Sequence, residues 1–171
     1  MRIPAAQTPD GGCSTAAAVA ILVTVYDRHV RRTLDELVAA ASLRIERLSP
    51  HDALAARDRG ALIVDIRSHE SRERHGVVPG SLHLPRTVLE WRVDPDSSWR
   101  NPHVGGLDSS IVVICDHGYS SVLAASALVD LGFEQAADVV GGFEAWRAAG
   151  LPVVPPRIAL EDELPGFGPP D

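Results

Sequence analysis

The segment Ile111-Val112-Val113-Ile114-Cys115-Asp116-His117-Gly118-Tyr119-Ser120-Ser121 puts a thiol where an apolar, β-branched run stops and a short polar loop begins. The thiolate is the nucleophilic form of cysteine, and a free thiol with a pKa of about 8.5 holds only a small thiolate fraction near neutrality. A cysteine between a buried strand and a following helix faces backbone N–H groups and the positive end of the helix dipole, both of which favour the anion. Cys115 therefore reads as a nucleophile, and the residues after it as its cradle. Gly118 permits the backbone angles that turn successive N–H groups inward as an anion nest. Ser120 and Ser121 offer hydroxyl donors to the same place, or cap the helix that follows. Asp116 would disfavour a neighbouring thiolate if it pointed inward, so it is expected to face solvent. His117 can offset that charge when protonated, or be an exposed loop residue without a role. Tyr119 is expected at the rim of the pocket.

Composition bounds what else the chain can do. With 171 residues, 45% of them hydrophobic, there is material for one well-packed domain and too little for two large ones. The net charge of −7 argues against nucleic acid or an anionic membrane surface as partner. The basic cluster Arg28-His29-Val30-Arg31-Arg32 is read as a solvated helix face, since Asp27, Asp35 and Glu36 flank it. The 2 cysteines, Cys13 and Cys115, make no disulfide framework and no CxxC pair, and the 7 histidines show no metal-ligand spacing. No metal or cofactor is expected, and a lone reactive thiol suits a reducing, cytoplasmic compartment. Ala16–Tyr26 is apolar but too short for a membrane-spanning helix, which takes about 20 residues. A flexible extension fits it better than an export signal, because Asp27-Arg28-His29 follows it in place of a small-residue cleavage site.

The elements that must position Cys115 follow from pattern. Residues 1–32 read as a partly ordered N-terminal extension, 33–155 as the folded domain and 156–171 as a flexible acidic tail rich in proline and glycine. Thr33-Leu34-Asp35-Glu36 has the form of a capping box and predicts a helix through about Ala41. Leu43–Leu48 alternates apolar and charged residues, predicting a first strand. Ser49-Pro50 opens a second helix that runs to about Arg59. Ala61–Ile66 is apolar on both faces, as in the centre of a parallel sheet. A surface helix over Ser68–His75, a Pro79-Gly80 turn and a short strand over Ser81–Leu84 come next. Residues 86–108, with Trp91 and Trp99, predict a long connection holding one short helix. After the Cys115 strand come a helix over Ser121–Leu131, a strand over Ala137–Val140 and a helix over Gly142–Ala149. This alternation predicts an α/β fold with a mostly parallel sheet, in which ligands bind at the carboxyl ends of strands. Asp65 and Cys115 both fall there.

Four ordered motifs resemble those of rhodanese domains: Val64-Asp65-Ile66-Arg67, Val78-Pro79-Gly80-Ser81, the Cys115 loop, and Gly141-Gly142-Phe143-Glu144-Ala145-Trp146. The loop resembles most the C-x-H-G-x-S-S loop of small single-domain bacterial thiosulfate sulfurtransferases, and the resemblance covers roughly residues 45–155. It implies a five-stranded parallel sheet flanked by helices on both faces. It also implies a cysteine that takes sulfane sulfur from a donor such as thiosulfate, carries it as a persulfide and passes it to a thiol or cyanide. The loop residues Asp116, His117, Gly118, Tyr119, Ser120 and Ser121 would then contact substrate, with Asp65 and Arg67 as structural support. Arg67 is expected to tie strand ends together by bonding backbone carbonyls, and Trp146 to lie in the core. Two departures stand out. Many members carry arginine just ahead of the closing serine, where this chain has Ser120, and that removes a cation suited to anionic thiosulfate. The His-Ile-Pro-Gly form common before the third strand is Val77-Val78-Pro79-Gly80 here.

The implied partners are a small sulfur donor and a thiol acceptor. Two other classes compete. Cysteine phosphatases use a similar strand–loop–helix thiol, but they need a Cys-x5-Arg loop to clamp phosphoryl oxygens, and Ser121 stands at that arginine position. A module for protein interaction or thiol redox sensing, with little turnover, would suit Asp116, the missing arginine and the tryptophan-bearing 86–108 insert. Cys13 would act there as a resolving thiol only if the flexible N-terminus reached the site.

Overall fold

A computed structural model of the chain describes residues 31–156. The expectations for the 1–32 extension, for Cys13 and for the 156–171 tail fall almost wholly outside these residues. Among the described residues, six α-helices and five strands alternate: α1 (Leu34–Ser42), β1 (Glu46–Leu48), α2 (Pro50–Asp58), β2 (Leu62–Asp65), α3 (His69–His75), β3 (Leu82–His83), α4 (Leu89–Val93), β4 (Ile111–Ile114), α5 (Ser120–Asp130), β5 (Ala136–Val139) and α6 (Gly142–Ala148). The five strands form one sheet in the order β1-β5-β4-β2-β3, with every pairing parallel. No described helix is long and apolar enough to cross a membrane.

β4 lies at the centre of this sheet, and that explains its composition. Both of its faces are covered, so Ile111, Val112, Val113 and Ile114 are all fully buried. Alternation splits them between two cores. Ile111, Val113 and Cys115 pack with Ala124, Ala125 and Leu128 of α5 and with Leu89 and Val93 of α4. Val112 and Ile114 pack with Ala53 and Ala56 of α2 and with Phe143 and Trp146 of α6. Cys115 thus continues the α5-facing side of the strand.

Local chemistry sets the helix ends. Ser49 caps α2 by accepting the Asp52 N–H, and Pro50 stands in its first turn. Ser68 caps α3 by accepting the Ser71 N–H, and Gly76, at φ +81°, ends it.

Several boundaries differ from the sequence expectation, most by a single residue. The larger difference is the first strand, which spans Glu46–Leu48 and not Leu43–Leu48. Helix α1 runs on to Ser42, whose hydroxyl bonds the Val38 carbonyl, and a turn from Ala41 to Arg44 follows. Leu43 is left 90% exposed. β1 is an edge strand with β5 as its one partner, so only the residues in register with β5 are held as strand.

The 86–108 connection carries a 3₁₀ turn at Arg86–Val88 and then α4. Arg92 pins it by donating to the Trp99 carbonyl at 2.6 Å, while Val104 folds back into the core. Trp146 is fully buried, and its indole N–H donates to the Pro152 carbonyl at 3.0 Å. Trp146→Ala removes that packing and the bond to the Pro152 carbonyl together. It is expected to destabilise the fold by about 3–5 kcal/mol, read as a lowered urea midpoint with an unchanged slope.

Candidate active site

Cys115 follows the last residue of the central strand and is only 5% exposed. The sulfur forms the floor of the loop. The Gly118 N–H donates to Sγ at 3.1 Å, and the Ser121 hydroxyl lies 3.3 Å from it. Burial pushes the thiol pKa up. The hydroxyls of Ser120 and Ser121 and the N–H groups of Ser121 and Gly118 together outweigh that effect and hold it below the ordinary cysteine value. The inward-turned donors are thus an electrostatic device for stabilising a sulfur anion in a nearly dry site.

The Gly-Gly-Phe motif keeps the loop in this shape. The Phe143 N–H donates to the Cys115 carbonyl at 2.8 Å, and the Glu144 N–H to the Asp116 carbonyl at 3.0 Å. Free N–H groups in the first turn of α6 thereby satisfy carbonyls that the loop takes out of the sheet. So close an approach leaves no room for side chains. Gly118 has φ +77°, and a Cβ on it would lie 2.6 Å from the Gly141 nitrogen. Gly142 has φ +61°, and a Cβ there would lie 2.5 Å from the Cys115 carbonyl oxygen.

The other residues singled out by sequence surround this centre. Ser121 is fully buried, and its hydroxyl donates to Asp138 at 3.1 Å. Neither serine caps α5, whose N-cap is Tyr119 without a side-chain bond. Asp116, expected to face solvent, is half-buried and accepts the Ser71 hydroxyl at 2.5 Å. The cause is α3, whose N-terminal turn brings Ser71 to the loop. His117 and Tyr119 are exposed. Tyr119 and Leu123 line an apolar groove of about 610 Å³ together with Leu34 and Val38 of α1.

Asp65 and Arg67, at the carboxyl end of β2, are both buried and joined by a bidentate pair, with Nη2–Oδ2 at 2.7 Å. Arg67 also donates to the Gly76 carbonyl at 2.8 Å, and its guanidinium lies 3.6 Å from the centre of the Phe143 ring. The pair therefore joins β2, the end of α3 and the start of α6. Among the described residues, no group of three or more His, Cys, Asp or Glu is placed to hold a metal ion.

Sequence reasoning missed Arg47 and Asp138. They are register partners on β1 and β5, with Arg47 Nε 2.8 Å from Asp138 Oδ1 and Nη2 3.2 Å from Oδ2. Arg47 Nη2 also reaches the Gly118 carbonyl at 3.4 Å, so the pair touches the loop from beneath. The available signal was Asp138 inside the otherwise apolar strand Ala136–Val139. A carboxylate there is buried and demands a partner.

Two measurements test this geometry. Alkylation of Cys115 by iodoacetamide is expected to rise with pH through a midpoint below that of free cysteine, about 8.5, because the anion is favoured. Ser121→Ala should move that midpoint up; an unchanged profile would remove the hydroxyl from the account. Gly142→Ala should cost about 1–3 kcal/mol in urea unfolding from the forced backbone angle alone. It should also slow alkylation at fixed pH, because the loop loses the N–H bonds from α6.

Comparison with known proteins agrees with this architecture. The family model for the rhodanese-like domain matches residues 49–149. The thiosulfate sulfurtransferase GlpE of Pseudomonas savastanoi pv. phaseolicola is 36% identical over 104 residues, covering 60% of this chain and 88% of that protein. Its namesake in Stutzerimonas stutzeri is 40% identical over 102 residues, covering 60% and 84%. Among solved structures, a protein of unknown function from Rhodopseudomonas palustris, called a possible tyrosine phosphatase, is 37% identical with a TM-score of 0.67. The match covers 73% of this chain and 96% of that one. The polysulfide-sulfur transferase of Wolinella succinogenes is 25% identical with a TM-score of 0.55, covering 68% and 83%. With the family model spanning more than half of its residues, this chain belongs to the rhodanese-like domain family.

Proposed function

We propose that the protein is a sulfurtransferase of the rhodanese type that carries sulfane sulfur on Cys115. The observation that carries this reading is the setting of Sγ. It lies at the carboxyl end of the central strand, with an N–H from Gly118 and hydroxyls from Ser120 and Ser121 lowering the cost of negative charge on sulfur. A persulfide is such a charge one bond further out, and the same inward-facing donors suit it.

In the first half-reaction the Cys115 thiolate attacks the outer sulfur of a donor such as thiosulfate. The new S–S bond forms as the donor's S–S bond breaks, and the electron pair leaves with sulfite. In the second, a thiol or cyanide attacks the outer sulfur of the Cys115 persulfide, and the pair in that S–S bond returns to Cys115 as thiolate. The cycle is ping-pong and balances without an external oxidant. Related proteins named for thiosulfate and polysulfide transfer support this class of substrate. A loop without arginine favours donors held by N–H and hydroxyl groups over those that need a cationic clamp. The site residues are Cys115 as nucleophile and Asp116 to Ser121 as the substrate-facing loop, with Asp65 and Arg67 as support. A reducing, cytoplasmic setting is part of the same proposal, since the thiolate must stay free between turnovers.

Phosphoryl transfer, the activity suggested for the Rhodopseudomonas palustris relative, is disfavoured by one position. Six residues after Cys115 stands Ser121, fully buried and bonded to Asp138, and no guanidinium clamps the loop from there.

Incubation with thiosulfate, polysulfide or a low-molecular-weight persulfide, followed by intact-mass spectrometry, is expected to show one added sulfur atom. Cyanide should remove it as thiocyanate, and Cys115→Ser should abolish it. A protein that takes up no sulfur from any of these donors while Cys115 remains alkylatable would overturn the proposal.

A further inference from the structure

Ser121 carries one hydroxyl proton and has two neighbours able to accept it: Cys115 Sγ at 3.3 Å and Asp138 Oδ2 at 3.1 Å. With Cys115 as a thiol both contacts are satisfied together. The S–H donates to Ser121 Oγ, and the Ser121 O–H donates to Asp138. Once the sulfur has lost its proton, it competes with Asp138 for the Ser121 hydroxyl, in addition to the Gly118 N–H and Ser120 hydroxyl that already favour its charge. Ser121, Asp138 and the sulfur are all buried, so bulk water is poorly placed to make up the difference.

Resting on the reading of Cys115 as the sulfur carrier, we propose that Ser121 is a two-position donor, turning from Asp138 to the sulfur when Cys115 becomes an anion, and that Arg47 permits this by holding the carboxylate Ser121 leaves. The geometry supplies what this needs. Arg47 grips both oxygens of Asp138, one of them the oxygen that Ser121 also bonds. Arg47 is a third exposed, so its own charge keeps some contact with solvent while it neutralises a carboxylate that has none. The same guanidinium reaches the carbonyl of Gly118, whose N–H holds the sulfur. Arg47 therefore touches Gly118 directly and Ser121 only through Asp138, and it comes from β1, outside the loop that lacks an arginine.

Asp138 and Arg47 should then act on the sulfur in opposite directions. The carboxylate competes for the Ser121 proton and repels a sulfur anion, whereas the guanidinium relieves both effects. Other charges on the surrounding elements are Asp116 and His117 of the loop, Asp65 and Arg67 at the end of β2, Arg72 of α3 and Glu144 of α6. Asp130, the charged residue of α5, stands at its far end and pairs with Arg44. All of these stay in place in the variants below. Arg47 and Asp138 are positioning residues, acting through Ser121 and Gly118.

The test is the pH profile of Cys115 alkylation in the full-length protein, read on the Cys115 peptide by mass spectrometry so that Cys13 does not contribute. Asp138→Asn is expected to lower the midpoint by roughly one pH unit, and Arg47→Gln to raise it by a similar amount. The double variant should return near wild type, and Arg47→Lys should restore much of what Arg47→Gln loses. Shifts of the same sign, or none, would mean that the pair only braces the sheet, and would overturn the proposal. In a Ser121→Ala background both shifts should shrink. Shifts of undiminished size would show a through-space field and sink the two-position donor. If Asp138→Asn does not fold, as judged by loss of cooperative urea unfolding, the Arg47→Gln and Arg47→Lys comparison at the partly exposed edge decides alone. The readout is ionisation and not sulfur uptake, so the two-position donor can fail while sulfur transfer stands, and the reverse.

Discussion

The site depends on one backbone exchange: the N–H groups opening α6 donate to the carbonyls of Cys115 and Asp116. A chain leaving the centre of a parallel sheet and curling at once into a tight loop removes its carbonyls from the ladder, and buried carbonyls must be paired. Here the pairing comes from a helix that is remote in sequence but adjacent through β5. Its cost is steric, which is why glycine stands at 118 and 142. The inward N–H of Gly118 that meets the sulfur follows from the same curl. Binding the loop from behind and presenting donors in front are a single geometric solution.

Electrostatics then determines what such a loop can hold. The thiol is almost fully removed from water, and burial alone would favour its neutral form. Fixed donors reverse the balance, because in a site with little water they stabilise an anion without having to reorganise. Phosphate and sulfur differ in what they ask of such a cradle. A transferring phosphoryl group spreads charge over several oxygens and suits a bidentate cation, whereas a persulfide concentrates charge on one soft atom. The hydroxyls of Ser120 and Ser121 and the N–H groups of Ser121 and Gly118 around Sγ suit the second case.

Much of this was legible in the sequence. Strand and helix order followed from hydrophobic runs and from the serine, proline and glycine signals at their ends, and Cys115 followed from the abrupt end of β4. The motifs could be recognised as a set, but the physical reason for Gly141-Gly142-Phe143 lies in its contact with the loop, which no local pattern encodes. Ser71 meeting Asp116 was hidden likewise, since it depends on how α3 lies against the loop. β1 misled for a different reason. Alternation marked Leu43–Leu48 as a strand and singled out no charge within it, but the turn after α1 removed Leu43 from the strand. The residue that then mattered was the charge aligned with Asp138.

That pair shows how a charge inside a sheet can serve the loop at its edge. Charged side chains on an edge strand commonly guard against unwanted pairing, and replacing a buried ion pair with apolar residues often leaves stability unchanged or improves it. Stability alone therefore gives a weak account of why an aspartate stands in the buried strand β5. Position gives a stronger one. Asp138 lies beside Val113 of β4, two residues before Cys115 and on the α5-facing side, and so directly beneath the start of α5. Any polar group there meets Ser121, and through it the sulfur. An apolar residue at 138 would leave Ser121 with the thiol as its one hydrogen-bonding neighbour and would leave Arg47 free to swing away from Gly118. The ion pair thus contacts two groups that neighbour one sulfur atom, the Ser121 hydroxyl and the Gly118 carbonyl, and it does so from strands whose register is set far from the loop.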